Sequence, residues 1–125
     1  GNTRWRSKVL KELDNPSPAI RFEAAKAAGE LEAKKAVPRL IELLADSDRE
    51  IQQAAAWSLG QIGGKQAKEA LRRVAKGKDE VLREAAEAAL KELAFWENPL
   101  GEFDYLVGGA EATDSDLEDE DLDEE

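Results

Sequence analysis

Glu50-Ile51-Gln52-Gln53-Ala54-Ala55-Ala56 is the middle of three related stretches. Ala19-Ile20-Arg21-Phe22-Glu23-Ala24-Ala25 precedes it and Glu80-Val81-Leu82-Arg83-Glu84-Ala85-Ala86 follows it. With Ile20, Ile51 and Val81 taken as equivalent, the spacings are 31 and 30 residues. A fixed period of this size marks stacked helical hairpins, each of which buries its apolar face only against its neighbours. The expected fold is all-α: a solenoid of three hairpins and six helices, at about residues 5–31, 34–62 and 65–94 within an array spanning 4–94.

Punctuation between the copies supports this division. Trp5, Val9 and Leu13 recur every four residues and predict a first helix. Asp14-Asn15-Pro16-Ser17-Pro18 breaks it, with Ser17 suited to an N-cap and Pro18 to the first helical position. The second helix is expected to run to about Ala28 and stop at Gly29. Val37, Leu40, Ile41 and Leu44 give the third helix an apolar face. Asp46-Ser47-Asp48 then turns the chain, with Asp48 as cap. Ile51, Ala54, Ala55, Ser58, Leu59 and Ile62 form the buried stripe of the fourth helix, and Gly60, Gly63 and Gly64 end it. The last hairpin uses Ala67, Ala70, Leu71 and Val74, turns at Gly77-Lys78-Asp79, and is expected to bury Val81, Ala85, Ala88, Ala89 and Leu93.

The pattern Ile-x-x-x-Ala-x-x-x-x-Gly, followed by Val37-Pro38-Arg39-Leu40-Ile41-Glu42-Leu43-Leu44, resembles the short HEAT repeats, an armadillo-like helical architecture. It is similar in particular to the phycobilisome-lyase-type HEAT-like repeats. The resemblance covers about residues 5–94. The middle copy, with Ala56-Trp57-Ser58-Leu59-Gly60, fits best. The third departs from it, with Leu82 where an Arg is usual and Leu90 in place of the Gly. The resemblance implies three different activities: chromophore attachment to phycobiliproteins, deoxyhypusine hydroxylation, and adaptor binding. The hydroxylases hold two irons with His-Glu pairs, and this chain has no His, so that activity does not carry over.

Composition narrows the chemistry further. The 125 residues include neither Cys nor His. Disulfides, thiolate nucleophiles and the commonest general base and transition-metal ligand are thus excluded. Paired carboxylates such as Asp46 with Asp48, or Glu84 with Glu87, read as helix caps and surface charge. No catalytic residue, metal ligand or cofactor is expected. No run approaches the ~18 apolar residues of a membrane span. Gly1-Asn2-Thr3-Arg4-Trp5-Arg6 lacks the apolar stretch of a secretory leader. The expected location is cytoplasmic.

Charge divides the chain. All 18 Lys and Arg lie between Arg4 and Lys91, among 14 acidic residues, for a net of +4. Residues 92–125 hold 14 acidic residues and no basic one. Such a block reads as a solvated, disordered tail over 108–125. Between array and tail, residues 95–107 carry four of the seven aromatics. They read as a cap over the third hairpin or as a linear motif for another protein.

In arrays of the resembled kind the second helix of each hairpin lines the concave surface. Helical geometry at 100° per residue then points Gln53 and Trp57 away from the buried stripe of the middle copy. By the 31- and 30-residue spacing their counterparts are Phe22 and Lys26, then Arg83 and Glu87. Small neighbours, Ala25, Gly29, Ala56 and Gly60, are expected to leave a groove beside the aromatics. The main expectation is a protein-binding adaptor or scaffold that uses Phe22, Lys26, Gln53, Trp57, Arg83 and Glu87. A second, basic face comprises Lys65, Lys68, Arg72 and Lys76. Nucleic acid is the weaker reading of that face, since the acidic end competes for it. Two alternatives stand beside the adaptor: a lyase-like or chaperone role on a tetrapyrrole-carrying protein, and the C-terminal end of a longer structural HEAT scaffold with no site of its own.

Overall fold

The computed structural model describes residues 2–99. Six α-helices fill this range: α1 Asn2–Glu12, α2 Pro18–Glu30, α3 Val37–Leu43, α4 Arg49–Ile62, α5 Lys65–Ala75 and α6 Glu80–Glu97, with a short 3-10 turn at Lys34–Ala36 before α3. They pair as hairpins α1–α2, α3–α4 and α5–α6, and the second helices pack in a row, α2 on α4 and α4 on α6. The expected three-hairpin solenoid is therefore what forms. The acidic tail at 108–125, and the part of the aromatic segment from 100 to 107, lie outside the described residues.

Ser17 and Asp48 cap the helices as the sequence nominates, and Asp79, placed by the sequence in a turn, caps α6. Ser17 Oγ accepts the Ile20 amide at 3.4 Å, with Pro18 in the first turn. Asp48 Oδ1 accepts the amides of Glu50 and Ile51 at 2.9 and 3.4 Å, and Asp79 Oδ1 that of Leu82 at 3.2 Å. Each satisfies amides that the first helical turn leaves without an intrahelical partner. Gly63 and Gly64 end α4 at φ 75° and 95°, a region that only glycine enters freely.

Ser17, Asp48 and Asp79 are 31 and 31 residues apart, so the third copy is one residue out of the register assumed from sequence. Leu82, not Val81, is the counterpart of Ile51: Leu82 is buried and Val81 is 41 % exposed. Ala86 and Ala89 are buried, whereas Ala88, expected inside, is exposed. In the corrected register Arg83 occupies the usual Arg position. The residues at cap plus four then behave alike. Arg21 Nη1, Gln52 Nε2 and Arg83 Nη1 each donate to a carbonyl six residues back, on Asn15, Asp46 and Gly77, at 2.9, 2.6 and 3.4 Å. The side chain ties its helix to the turn that launches it.

Two glycines expected as helix stops lie inside helices instead. Gly29 precedes the end of α2, and a Cβ there would sit 2.5 Å from Ser58 Oγ and 2.8 Å from Ser58 Cα. Gly60 lies within α4, and its Cβ would sit 2.7 Å from Ala89 Cβ. Both are close-approach positions at which neighbouring second helices nearly touch backbone to backbone. Ser58, buried at the first seam, donates to the Ala25 carbonyl. Ala25 and Ala56, expected beside a groove, are fully buried in the same seams. The small residues bring helices together and leave no trough between them.

Candidate functional surface

Corrected register redraws the outward stripe of the second helices. On α4 it comprises Glu50, Gln53 and Trp57. The matching residues are Ala19, Phe22 and Lys26 on α2, and Val81, Glu84 and Ala88 on α6. Trp57 is 41 % exposed, on a helix whose neighbouring Ala56 and Ser58 are fully buried. Gln53 and Lys26 are exposed beside it in the row. Phe22 is only partly exposed: it packs against the core, and Lys26 Nζ lies 5.8 Å from its ring centroid. That separation places the ammonium within cation–π range and shields the ring. Phe22 therefore offers less free surface than the sequence suggests.

Two expected site residues leave the stripe. Arg83 is half-buried and turned back to Gly77. Glu87 is exposed, but it is the counterpart of Ala25 and Ala56 and so points to the side on which a following helix would pack. Glu84 and Ala88 take their places. The one-residue slip hid these two residues. The 31-residue spacing of the capping residues would have revealed them.

Past Ala88 the stripe continues into residues the sequence groups with the segment after the array. α6 runs on to Glu97, so Phe95 and Trp96 are helical, 54 % and 65 % exposed. Their rings meet edge to face, 5.2 Å between centroids at 76°. A shallow, open depression of about 530 Å³ lies along this helix, lined by Glu84, Glu87, Ala88, Lys91, Glu92, Phe95 and Trp96.

The basic face is partly dispersed. Lys65 and Arg72 are exposed on α5, and Lys76 lies just past its end. Lys68, however, turns to Glu97 at the end of α6, Nζ to Oε2 2.9 Å, and its side chain is largely covered.

The carboxylates behave structurally. Asp46, in the α3–α4 turn, accepts Arg21 Nε at 3.0 Å and the Asp48 amide at 2.9 Å. Its side chain is 8 % exposed and that of Arg21 17 %. Burial pushes the Asp46 carboxyl up, but the Arg21 guanidinium and the Asp48 amide outweigh it and hold the group below its ordinary value. Asp79 also sits below the ordinary value, through Arg49 at 2.8 Å and the Leu82 amide. Both bridges join one repeat to the next. Among the described residues, no cluster of His, Cys, Asp or Glu is placed to hold a metal ion, and no helix is long and apolar enough to cross a membrane.

A family model for HEAT repeats matches residues 7–91, more than half of the chain. The chain belongs to the HEAT-repeat family. No curated protein matches it. Within this HEAT array the matched span runs from within α1 to within α6 and so touches all three hairpins.

Proposed function

We propose that this chain is a protein-interaction module, with no catalysis of its own, that receives a protein partner on the outward stripe of α2, α4 and α6. HEAT repeats are commonly interaction modules, which supports the coarse reading. Exposure of Trp57 carries the specific one. A large aromatic held on a rigid helix, with polar Gln53 and Lys26 beside it, is the composition of a binding hot spot. Glu84 and Ala88, not Arg83 and Glu87, continue the surface. The 31-residue period supports assignment to a short HEAT subtype similar to the phycobilisome-lyase type. The location we propose is cytoplasmic.

The experiment is affinity capture from cell extract with the intact chain and with Trp57→Ala and Glu84→Lys variants, each checked by circular dichroism. A protein retained by the intact chain and lost by both folded variants supports the site. Equal retention by all three baits rejects it. Phe22→Ala is a poorer probe, because it also removes a core contact.

A second reading, the C-terminal end of a longer array, draws on the contrast between the two ends of the stack. On α6 the seam pair Ala25/Gly29, repeated as Ala56/Gly60, becomes Glu87 and Lys91. Two charged side chains there oppose stacking of a further helix. On α2, Ile20 is 43 % exposed, although its counterparts Ile51 and Leu82 are buried against a preceding second helix. Terminal repeats of such arrays carry polar outer faces; α6 presents Glu87 and Lys91 there, while α2 presents the apolar Ile20 beside Glu23, the counterpart of the buried Ala54. The encoding gene separates the two readings: further repeats upstream support the longer scaffold. The lyase-like role on a tetrapyrrole-carrying protein finds no supporting side chain, and an unchanged bilin absorbance spectrum on titration would close it.

A further inference from the structure

Phe95 and Trp96 stand at one end of the depression on α6, and the rest of its lining carries charge. Glu84, Glu87 and Glu92 share it with Lys91, a net of −2. Lining residues recur at every turn of α6 from Glu84 to Phe95, so they occupy one face ~16 Å long. Other carboxylates serve the fold: Asp46 and Asp79 bridge repeats, and Glu97 takes Lys68. Among the described residues, no ion pair engages Glu84, Glu87 or Glu92. All three are exposed, and Glu84 and Glu87 stand at a helical spacing where like charges repel.

The aromatic end of the same face also favours a cation. A Lys or Arg head is drawn to the face of an exposed ring, tryptophan most strongly, while its methylene stem covers apolar surface. The chain makes such a contact elsewhere, with Lys26 Nζ 5.8 Å from the Phe22 centroid. Phe95 and Trp96 are far more open than Phe22. We infer that this face of α6 docks a basic segment of a partner protein, one carrying Lys or Arg beside an apolar residue. The apolar residue rests on Ala88 and Phe95. Cationic heads reach Glu84, Glu87 and Glu92, and one crosses the Trp96 ring. Lys91 favours a neutral residue opposite it. The charges that oppose a repeat helix with a small apolar seam thus select a basic segment instead. Glu84 and Ala88 also belong to the stripe proposed for a partner, so the inference rests on that reading and adds the partner's chemistry to it.

The probe is a synthetic amphipathic peptide of leucine and lysine, beside the same peptide with glutamate for lysine. In the full chain carrying Trp5→Phe and Trp57→Phe, Trp96 is the only tryptophan. The lysine peptide is expected to shift its emission to the blue and to lower its acrylamide quenching. The glutamate peptide is expected to do neither. Glu87→Gln/Glu92→Gln, checked for folding by circular dichroism, should weaken the lysine peptide by ~5–10-fold. Added salt should weaken it as well. Residues 111–125 hold ten acidic residues that also attract such a peptide, so the readout is Trp96 and not total binding. Peptide binding that leaves Trp96 unmoved, or a shift indifferent to the double substitution, overturns the proposal. So does an equal shift with the glutamate peptide. A shift that grows with protein concentration in the absence of peptide also overturns it, and makes a second copy the occupant. Trp57 is missing from this background, so failure of the peptide on α6 and failure of capture through Trp57 are separate results.

Discussion

α4 and α6 are copies of one helix with opposite fates at the same positions. On α4, Ala56 and Gly60 are buried, and the backbone at Gly60 comes so close to Ala89 that no side chain fits. On α6, 31 residues later, Glu87 and Lys91 are exposed. Two residue choices separate a buried seam from an exposed helix face. The helix template does not determine whether a face is core or surface; the size and charge of the seam residues do.

The comparison depends on register, and the largest expected effect tests that. Leu82→Ala should cost ~2–5 kcal/mol, the usual range for truncating a buried leucine. Val81→Ala, one residue earlier and exposed, should cost no more than ~0.5 kcal/mol. Urea unfolding of both variants decides. The reverse order would restore the 30-residue spacing and with it the expectation that Arg83 and Glu87 belong to the stripe.

Seam substitutions come next. Gly→Ala inside an exposed helix ordinarily stabilises by up to ~1 kcal/mol. Here the new Cβ at Gly29 would meet Ser58 Cα at 2.8 Å, and that at Gly60 would meet Ala89 Cα at 3.1 Å. Backbone cannot yield as a flexible side-chain tip can. Each substitution should therefore destabilise by ~1–3 kcal/mol, as overpacking does. Unchanged or raised thermal midpoints would show that the seams are looser than drawn.

Much of this architecture was legible before any coordinates, and the reasons are local. Ser17-Pro18 and Asp48 announce helix starts because a capping side chain acts within three residues of itself. The failures are positional. Glu80-Val81 resembles Glu50-Ile51, and the alanines after each let the copies slide by one residue at no visible cost. Asp79, read only as a turn residue, caps α6 31 residues after Asp48, and that spacing is what sets the register. Gly29 and Gly60 read as stops because a glycine near a helix end looks the same whether it releases the chain or admits a neighbour. Partial cover of Phe22 by Lys26 depends on a side-chain conformation that spacing cannot give.

The ties between repeats provide a pH test of the same contrast. Arg21–Asp46 is nearly enclosed, and Arg49–Asp79 is exposed. Asp46→Asn should cost ~1.5–3 kcal/mol near neutral pH, the range for hydrogen bonds to charged groups; Asp79→Asn should cost less through its bridge. Both carboxyls are held below their ordinary values when folded. The stability they supply is therefore complete above the unfolded value of ~3.9 and is lost as pH falls from there through the depressed folded values. Stability measured from pH 5 to 2 should fall less steeply in Asp46→Asn than in the parent. Parallel acid limbs would mean that Asp46 contributes no such linkage.

The smallest expected change in fold stability has the largest consequence for assembly. Glu87→Ala/Lys91→Gly rewrites the end of α6 as the Ala-x-x-x-Gly seam of α2 and α4. Both original residues are exposed, so the cost should be limited to ~0.5–1 kcal/mol from placing glycine inside a helix. The new seam can meet the open face of α2, where Ile20 stands exposed beside Glu23, the counterpart of the buried Ala54. One molecule's last helix could then dock on another's second helix as α4 docks on α2. The contact is heterologous, so it repeats without closing and builds open chains. Sedimentation velocity should show mass rising with concentration for the double variant and a constant species for the parent. If the double variant stays at the parent's mass, Glu87 and Lys91 are not what keeps a further helix off this face, and the size and charge of the seam residues do not by themselves separate α6 from α4.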